Sequence, residues 1–384
     1  MIWESKTLGE ISLSIQTGPF GSQLHQSDYL DEGIPVVMPR DLVNGTISEE
    51  SIARVSKEHV ERLEKHKIQE GDILYSRRGD VGRCAFASGR EIGWLCGTGC
   101  LKVRFDKEKV EPKFVFYQLK KAETIGWVVN HAVGSTMLNL NTSILSAVPV
   151  DIPKIETQRK IVSILSAYDE LIENNQKQIK LLEEAAQRLY KEWFVDLRFP
   201  GYEDVEIVYG VPEGWRKANL PEIAPIVTGK KDANFGTVNG KYLFFTCAQE
   251  PIKAPSYSFD CNAVILAGNG DFNVKLYRGQ FEAYQRTYVF SPYNSKRLYL
   301  LYYAVKESMR QLFQGASGST IKFLTKRMLE EILVFVPDKE VLEVFNQNCE
   351  LFQSKIEALK AQITLAQEAR DRLLPKLMSG EIEV

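Results

Sequence analysis

No part of this 384-residue chain carries the residue sets that common catalytic sites require. The phosphate loop GxxxxGK[ST] is absent, and Gly315–Thr320 (GASGST) is Gly-rich but lacks the lysine, so it reads as a Gly/Ser turn. There is no Asn/Asp-Pro-Pro-aromatic run for amino-methyl transfer and no Gly-rich turn between strand and helix of the Rossmann kind. The four histidines are scattered, and His59 and His66, seven apart among Lys and Glu, read as a solvated helix face. Asp338, Lys339 and Glu340 supply the types of a nuclease site, but they open a helix, where acidic residues suit the dipole. Six cysteines show no disulfide spacing; Cys96 and Cys100 have no second Cys or His pair nearby and read as thiols in a β-rich core. The longest apolar stretch, Leu298 to Val305, is far short of a bilayer span, and the opening MIWESKTLGE lacks the regions of a signal peptide. A cytoplasmic, non-catalytic protein with no membrane partner is the expectation. Basic excess is missing too: the net charge is −2 and the pI about 6.2, which neither advertises nor excludes a nucleic-acid partner, because acidic helices can mask a basic face.

What is present is a repetition. GSTMLNLNTSILSAVPVDIP begins at Gly134 and GSTIKFLTKRMLEEILVFVP at Gly318, 184 residues later. Each runs without a gap into a heptad-patterned segment. Ile161, Leu165, Tyr168, Ile172, Asn175, Ile179, Leu182, Ala186, Leu189 and Trp193 follow the 4-3 spacing of a coiled-coil seam. Phe345, Cys349, Phe352, Ile356, Leu359, Ile363, Ala366, Arg370, Leu373 and Leu377 occupy the same ten places, each 184 later. Helices are predicted over Glu156–Val195 and from Asp338 to near Leu374, with a break or kink at Pro375. About 40 residues at ~1.5 Å each span ~60 Å, too long for an element of a compact domain. A shorter helical stretch is expected near Phe114–Val129 and strands at Ile34–Met38, Asp72–Tyr75 and Leu101–Phe105. Arg370 at a seam position implies a polar contact with Asn175 or with a partner.

Further upstream the repeat drifts. Trp215, Leu220 and Ile223 echo Trp3, Leu8 and Ile11 at an offset of 212, Thr228–Gly229 echoes Thr17–Gly18, and Gly270–Asp271 echoes Gly79–Asp80 at 191. All the length change falls in the globular blocks and none in the helices. The expected fold is α+β: two globular mixed α/β domains separated by two long helices forming an antiparallel coiled coil, with an internal pseudo-two-fold repeat. The boundaries are 1–152 for the first domain, 153–198 for the first helix, 199–337 for linker and second domain, and 338–384 for the second helix and tail. A pseudo-two-fold chain suits a two-fold partner such as duplex DNA.

The Gly-linked polar clusters match DNA contact. The loop holding Thr17, Gly18, Ser22 and Gln23 exposes backbone N–H groups and hydroxyls suited to phosphate. Arg77 and Arg78 end a strand-like run with Arg83 just beyond, placed to reach guanine, or alternatively to pair with Asp80. Their counterparts in the second block are Lys230, Lys231, Asn234, Asn269, Gln285 and Arg286, where Asn and Gln suit adenine and the lysines phosphate. Ser135, Thr136, Ser319 and Thr320 precede the helices and either bind phosphate or cap turns.

These motifs resemble the DNA specificity subunit of type I restriction–modification systems over nearly the whole chain. The resemblance rests on TGPFGSQL from Thr17, ILYSRRGDVGRCAF from Ile73, PKIETQRKIVSIL from Pro153 and LYKEWFVDLRFPG from Leu189. VPEGW from Val211, YQRTYVF from Tyr284 and LLPKLMSGEIEV from Leu373 complete it. It implies two target-recognition domains, each reading half of an asymmetric bipartite site, with the helices as a ruler for the spacer. It also implies two methyltransferase subunits that hold S-adenosylmethionine and methylate adenine, and restriction subunits that use ATP and Mg, with no cofactor on this chain. Trp193 and Phe194, taken as exposed, with Leu377 and Met378 in the second repeat, are the expected partner contacts; intramolecular capping is the other reading. A non-DNA coiled-coil scaffold for protein partners is the alternative function, distinguished by the absence of salt-dependent DNA affinity.

Overall fold

The computed structural model describes residues 3–134, 137–316 and 322–384. Two compact units divide the chain, one comprising Met1–Glu173 with Ile363–Val384 and the other Asn174–Gln362. Two long helices, Ile155–Phe194 and Lys339–Ser379, each contribute residues to both.

The base of each unit is built from the repeat, and its register is the same twice. In the first unit Glu4–Thr7 pairs antiparallel with Pro149–Ile152, Glu4 lying opposite Ile152. In the second, Arg216–Asn219 pairs with Leu333–Val336, Arg216 lying opposite Val336. One strand of the pair has shifted by 212 and the other by 184, so the drift is absorbed entirely between them. Each first strand feeds a one-turn helix, Leu8–Ile11 or Leu220–Ile223. Both are closed by a carboxylate at the third helical position: Thr7 N donates to Glu10 at 2.6 Å and Asn219 N to Glu222 at 2.8 Å. Helices Thr142–Ser146 and Lys326–Glu330, with Asn141 and Thr325 accepting at their N-caps, stand 184 apart at both ends.

Above this common base the sheets differ. The first unit carries a four-stranded antiparallel sheet in the order Ser12–Thr17, Cys100–Phe105, Ile73–Ser76, Cys84–Phe86. Beside it lies a three-stranded sheet of Ala53–Val55, Ile34–Val37 and Leu95–Cys96. The second unit has one six-stranded sheet, centred on Phe259–Ala267 and Val274–Ala283, which pair antiparallel over eight residues. Cys96 and Cys100 are fully buried in the first unit's β core, and all six thiols are free.

All twenty heptad positions are buried or half-buried. In the first unit the start of the first long helix packs with the end of the second: Ile161 and Leu165 share a core with Leu377 and Met378. In the second unit the pairing is reversed along the chain, and Ala186, Tyr190, Trp193 and Phe194 share a core with Phe345 and Cys349. Each full burial of such a side chain contributes ~1.5–3 kcal/mol.

Four expectations need correction. The second helix does not break at Pro375 but continues to Ser379, where Leu377 and Met378, each 1% exposed, fasten its last turn into the first unit's core. Arg370 does not meet Asn175: it binds Asp169 at 2.9 Å, while Asn175 donates to Gln362 at 3.2 Å. The stretch near Phe114–Val129 is two helices, Pro112–Leu119 and Ala122–His131, parted by extended backbone at Lys121. His66 is no solvated residue, being 4% exposed. No helix among the described residues is long and apolar enough to cross a membrane.

Candidate nucleic-acid interface

In the first unit the Thr17 loop, the arginine turn and the turn at Gly97–Gly99 converge. Gly18 N donates to the Cys100 carbonyl at 2.9 Å. A Cβ on Gly18 would stand 1.9 Å from the Gly97 carbonyl oxygen, so only glycine permits this approach. Thr98 Oγ1 donates to the Pro19 carbonyl at 3.0 Å and Arg77 N to the Gly99 carbonyl at 2.8 Å. The loop then turns tightly, with Gln23 N donating to the Phe20 carbonyl at 2.7 Å and Gln23 Oε1 accepting from Phe20 N at 3.2 Å. The Arg77 guanidinium lies 5.4 Å from the centre of the Phe20 ring. Thr17, Ser22 and Gln23 line one cleft of ≈ 520 Å³ together with Phe20, Lys65 and His66. Among the described residues neither His66 ring nitrogen makes a hydrogen bond of normal geometry, the nearest approach being a weak one to the Thr17 backbone. Burial first, and the Lys65 and Lys102 cations next, hold its pKa down at about 4, against a weaker opposing effect of the Thr17 backbone. It is therefore a neutral imidazole at pH 7.

The three arginines part company. Arg83 pairs with Asp80 at 3.1 Å, so for this residue the ion-pair reading holds. No carboxylate of the described residues lies within ion-pair distance of Arg77 or Arg78.

The second unit repeats the arrangement with other side chains. Gly229 N donates to Thr287 O at 3.1 Å, and a Cβ on Gly229 would meet the Ala283 carbonyl at 1.9 Å, as at Gly18. Gln285 N donates to the Lys231 carbonyl at 2.9 Å, and Gly268 N donates to the Arg286 carbonyl at 2.9 Å. These bonds bring the Thr228 loop, the Tyr284–Arg286 turn and the turn at Asn269 together. Lys231 Nζ sits 4.4 Å from the Phe235 ring centre. Lys230, Asn234, Gln285 and Arg286 are exposed and make no side-chain hydrogen bond or ion pair among the described residues.

Arg78 and Asn269 occupy equivalent places. Arg78 bridges Asn139, and Asn269 bridges Phe323, 184 residues further on. Leu140 N donates to the Arg77 carbonyl, and Leu324 N to the Gly268 carbonyl, both at 2.8 Å. The following Gly79 and Gly270 adopt φ of +74° and +68°. One backbone frame thus presents an arginine in one unit and an asparagine in the other. Ser135, Thr136, Ser319 and Thr320 lie outside the described residues.

Trp193 and Phe194 are not exposed, at 7% and 1%, and neither are Leu377 and Met378. Phe194 packs 4.8 Å edge-on from Phe345 and 5.5 Å from Trp215, because the connector after the helix folds back and lays Phe199 on Trp215 at 4.5 Å. Their surface is spent inside the chain. Sequence reasoning missed Phe20, Lys65 and His66 at the first cleft; the motif GPFGS held the first in view, and Lys65–His66 were hidden by their charged neighbours.

The model of the type I restriction modification DNA specificity domain matches twice, over residues 2–184 and 212–364. Among similar proteins, the EcoDI specificity subunit of Escherichia coli is 34% identical over 45% of this chain and 39% of its own length. The MjaIX specificity subunit of Methanocaldococcus jannaschii is 24% identical over 93% of this chain and 88% of its own. The S subunit of a type I restriction-modification system from M. genitalium shares the fold, with a TM-score of 0.61 at 18% identity, covering 98% of this chain and 96% of that one. This chain belongs to the type I restriction modification DNA specificity family, and it carries the family's domain twice.

Proposed function

We propose that this chain is the non-catalytic, DNA-reading subunit of a type I restriction–modification complex, with each unit reading one half of an asymmetric bipartite site. One observation carries the proposal: the same base, in the same strand register, supports two different sheets whose equivalent turns present different side chains. Identical mounts with unlike tips suit two unlike half-sites. Arg77 and Arg78 in the first unit, and Lys230, Lys231, Asn234, Asn269, Gln285 and Arg286 in the second, are the proposed contacts. The long helices, pairing antiparallel as a coiled coil, set the spacer. Modification subunits that hold S-adenosylmethionine act on adenine, and restriction subunits use ATP and Mg; this cytoplasmic chain directs both and needs no cofactor of its own.

The test is selection from a random duplex library, using the chain alone and then with a methyltransferase subunit of the same system. Two unlike half-sites around an unread spacer of fixed length support the proposal. A single continuous motif would leave one unit without a reading role, and no enrichment in either format would favour the protein scaffold.

A further inference from the structure

Exposure by itself singles out nothing here, since Tyr209, Val238, Leu351 and other large apolar side chains are more exposed than Phe20 at 52%. Phe20 differs in three ways. Its backbone is held on both sides: Thr98 bonds the Pro19 carbonyl, Gln23 closes the turn through both its N–H and its side chain, and Gly18 is wedged against Gly97. A ring on so fixed a turn keeps its direction, and its contact costs little ordering. It is also partnered by a cation that has no carboxylate among the described residues: Arg77 lies against the ring, and its Nε is buried without a hydrogen-bond acceptor among them. Finally, it stands at the rim of the cleft lined by Thr17, Gln23, Lys65 and His66, so the surface around it combines cationic and hydrogen-bonding groups.

A phenyl ring cannot donate to phosphate. Beside an arginine on a surface that faces an intact, stacked duplex, it adds an apolar contact, and in the major groove the apolar feature is the thymine methyl. The 5.4 Å between guanidinium and ring lies between one and two base steps of ~3.4 Å. We infer that Phe20 is a specificity-determining residue that meets a thymine methyl in the first half-site, one or two steps from the group that Arg77 touches. The inference rests on the DNA-reading function proposed above. The second unit has no counterpart: the position matching Phe20 in the Thr-Gly loop falls among Lys231 and Asp232, and Phe235 there is only half-exposed beneath Lys231. The first half-site is thus read partly through an uncharged contact and the second through cations and amides.

The experiment measures the affinity of the full chain, with its methyltransferase partner, for the selected target over a range of salt. It compares wild type, Phe20→Ala and Phe20→Leu, each on the target and on duplexes in which single thymines are replaced by deoxyuridine. Phe20→Ala should weaken binding about fivefold to tenfold with an unchanged salt slope, and Phe20→Leu should keep part of it. One deoxyuridine in the first half-site should weaken wild type by a similar factor and leave Phe20→Ala without further loss, and none in the second half-site should show that coupling. Phe20→Ala binding like wild type overturns the inference, as does an equal loss from every deoxyuridine in both proteins. A wild-type chain that shows no sequence-selective affinity overturns the underlying function instead. Should Phe20→Ala fold poorly, Phe20→Leu decides: it should lose less than wild type from that one deoxyuridine, and a loss equal to wild type's overturns the inference.

Discussion

His66 makes the first unit sensitive to mild acid. The 3-10 turn Glu64–His66 carries the ring inward to 4% exposure, where the described residues offer its nitrogens no more than a weak contact with the Thr17 backbone. Burial, reinforced by Lys65 and Lys102, depresses the folded pKa to about 4, whereas an unfolded histidine titrates near ~6.5. Between those values the unfolded chain binds the extra proton, so stability is whole above pH ~6.5 and falls as pH drops toward 4. At pH 5 the linkage amounts to about 2 kcal/mol. For a unit of this size, that lowers the thermal midpoint by ~4–8 °C. Carboxylates held low by hydrogen bonds, such as Glu10 through the Thr7 backbone, also lose their contribution in acid, so the measurement must be a difference. The midpoint of the first unit's transition would be recorded at pH 7.5 and pH 5 for wild type and for His66→Phe. Wild type should lose the larger amount by several degrees; equal losses in both proteins would refute the reasoning.

Three further outcomes are expected. Trp193→Ala should destabilise the second unit by ~3–5 kcal/mol, seen in denaturant unfolding, because it empties a packed aromatic cluster rather than a partner surface. Asp169→Asn should cost the first unit ~1–3 kcal/mol, since Asp169 accepts from Tyr117 at 2.6 Å and from Arg370 at 2.9 Å, and the same unfolding curves would show no change if those bonds were idle. On DNA, Arg77→Ala or Arg78→Ala should cost ~1–3 kcal/mol and relax only the first half-site, whereas Lys230→Ala and Lys231→Ala should each lower the salt slope by roughly one across all sequences.

The frame was plain in the amino-acid order because its physics is periodic. The twenty heptad positions need only a fixed spacing to be recognised, and the offsets of 212 and 184 reappear as one strand register. What stayed hidden depended on contacts between distant segments. Nothing local says that the connector will return Phe199 and Trp215 onto Phe194, or that Leu377 and Met378 will hold a helix through Pro375. His66 stands between Lys65 and Lys67, and only the turn geometry aims it inward. The loops and turns singled out in the sequence do converge within each unit: Thr17, Ser22 and Gln23 share a cleft, and Lys231, Gln285 and Arg286 meet through backbone bonds. The Asp80 pairing of Arg83 and the cation–ring contact of Arg77 were beyond the reach of composition.

The most direct measurement of the central claim inserts four residues into both long helices, at matched places 184 apart, and repeats the duplex selection with the methyltransferase partner. Four residues add ~6 Å of helix, close to two base pairs at ~3.4 Å. Unchanged half-sites around a spacer about two base pairs longer are predicted. The original spacer, selected as strongly as before, would contradict the proposal that the long helices set the spacing between the two half-sites.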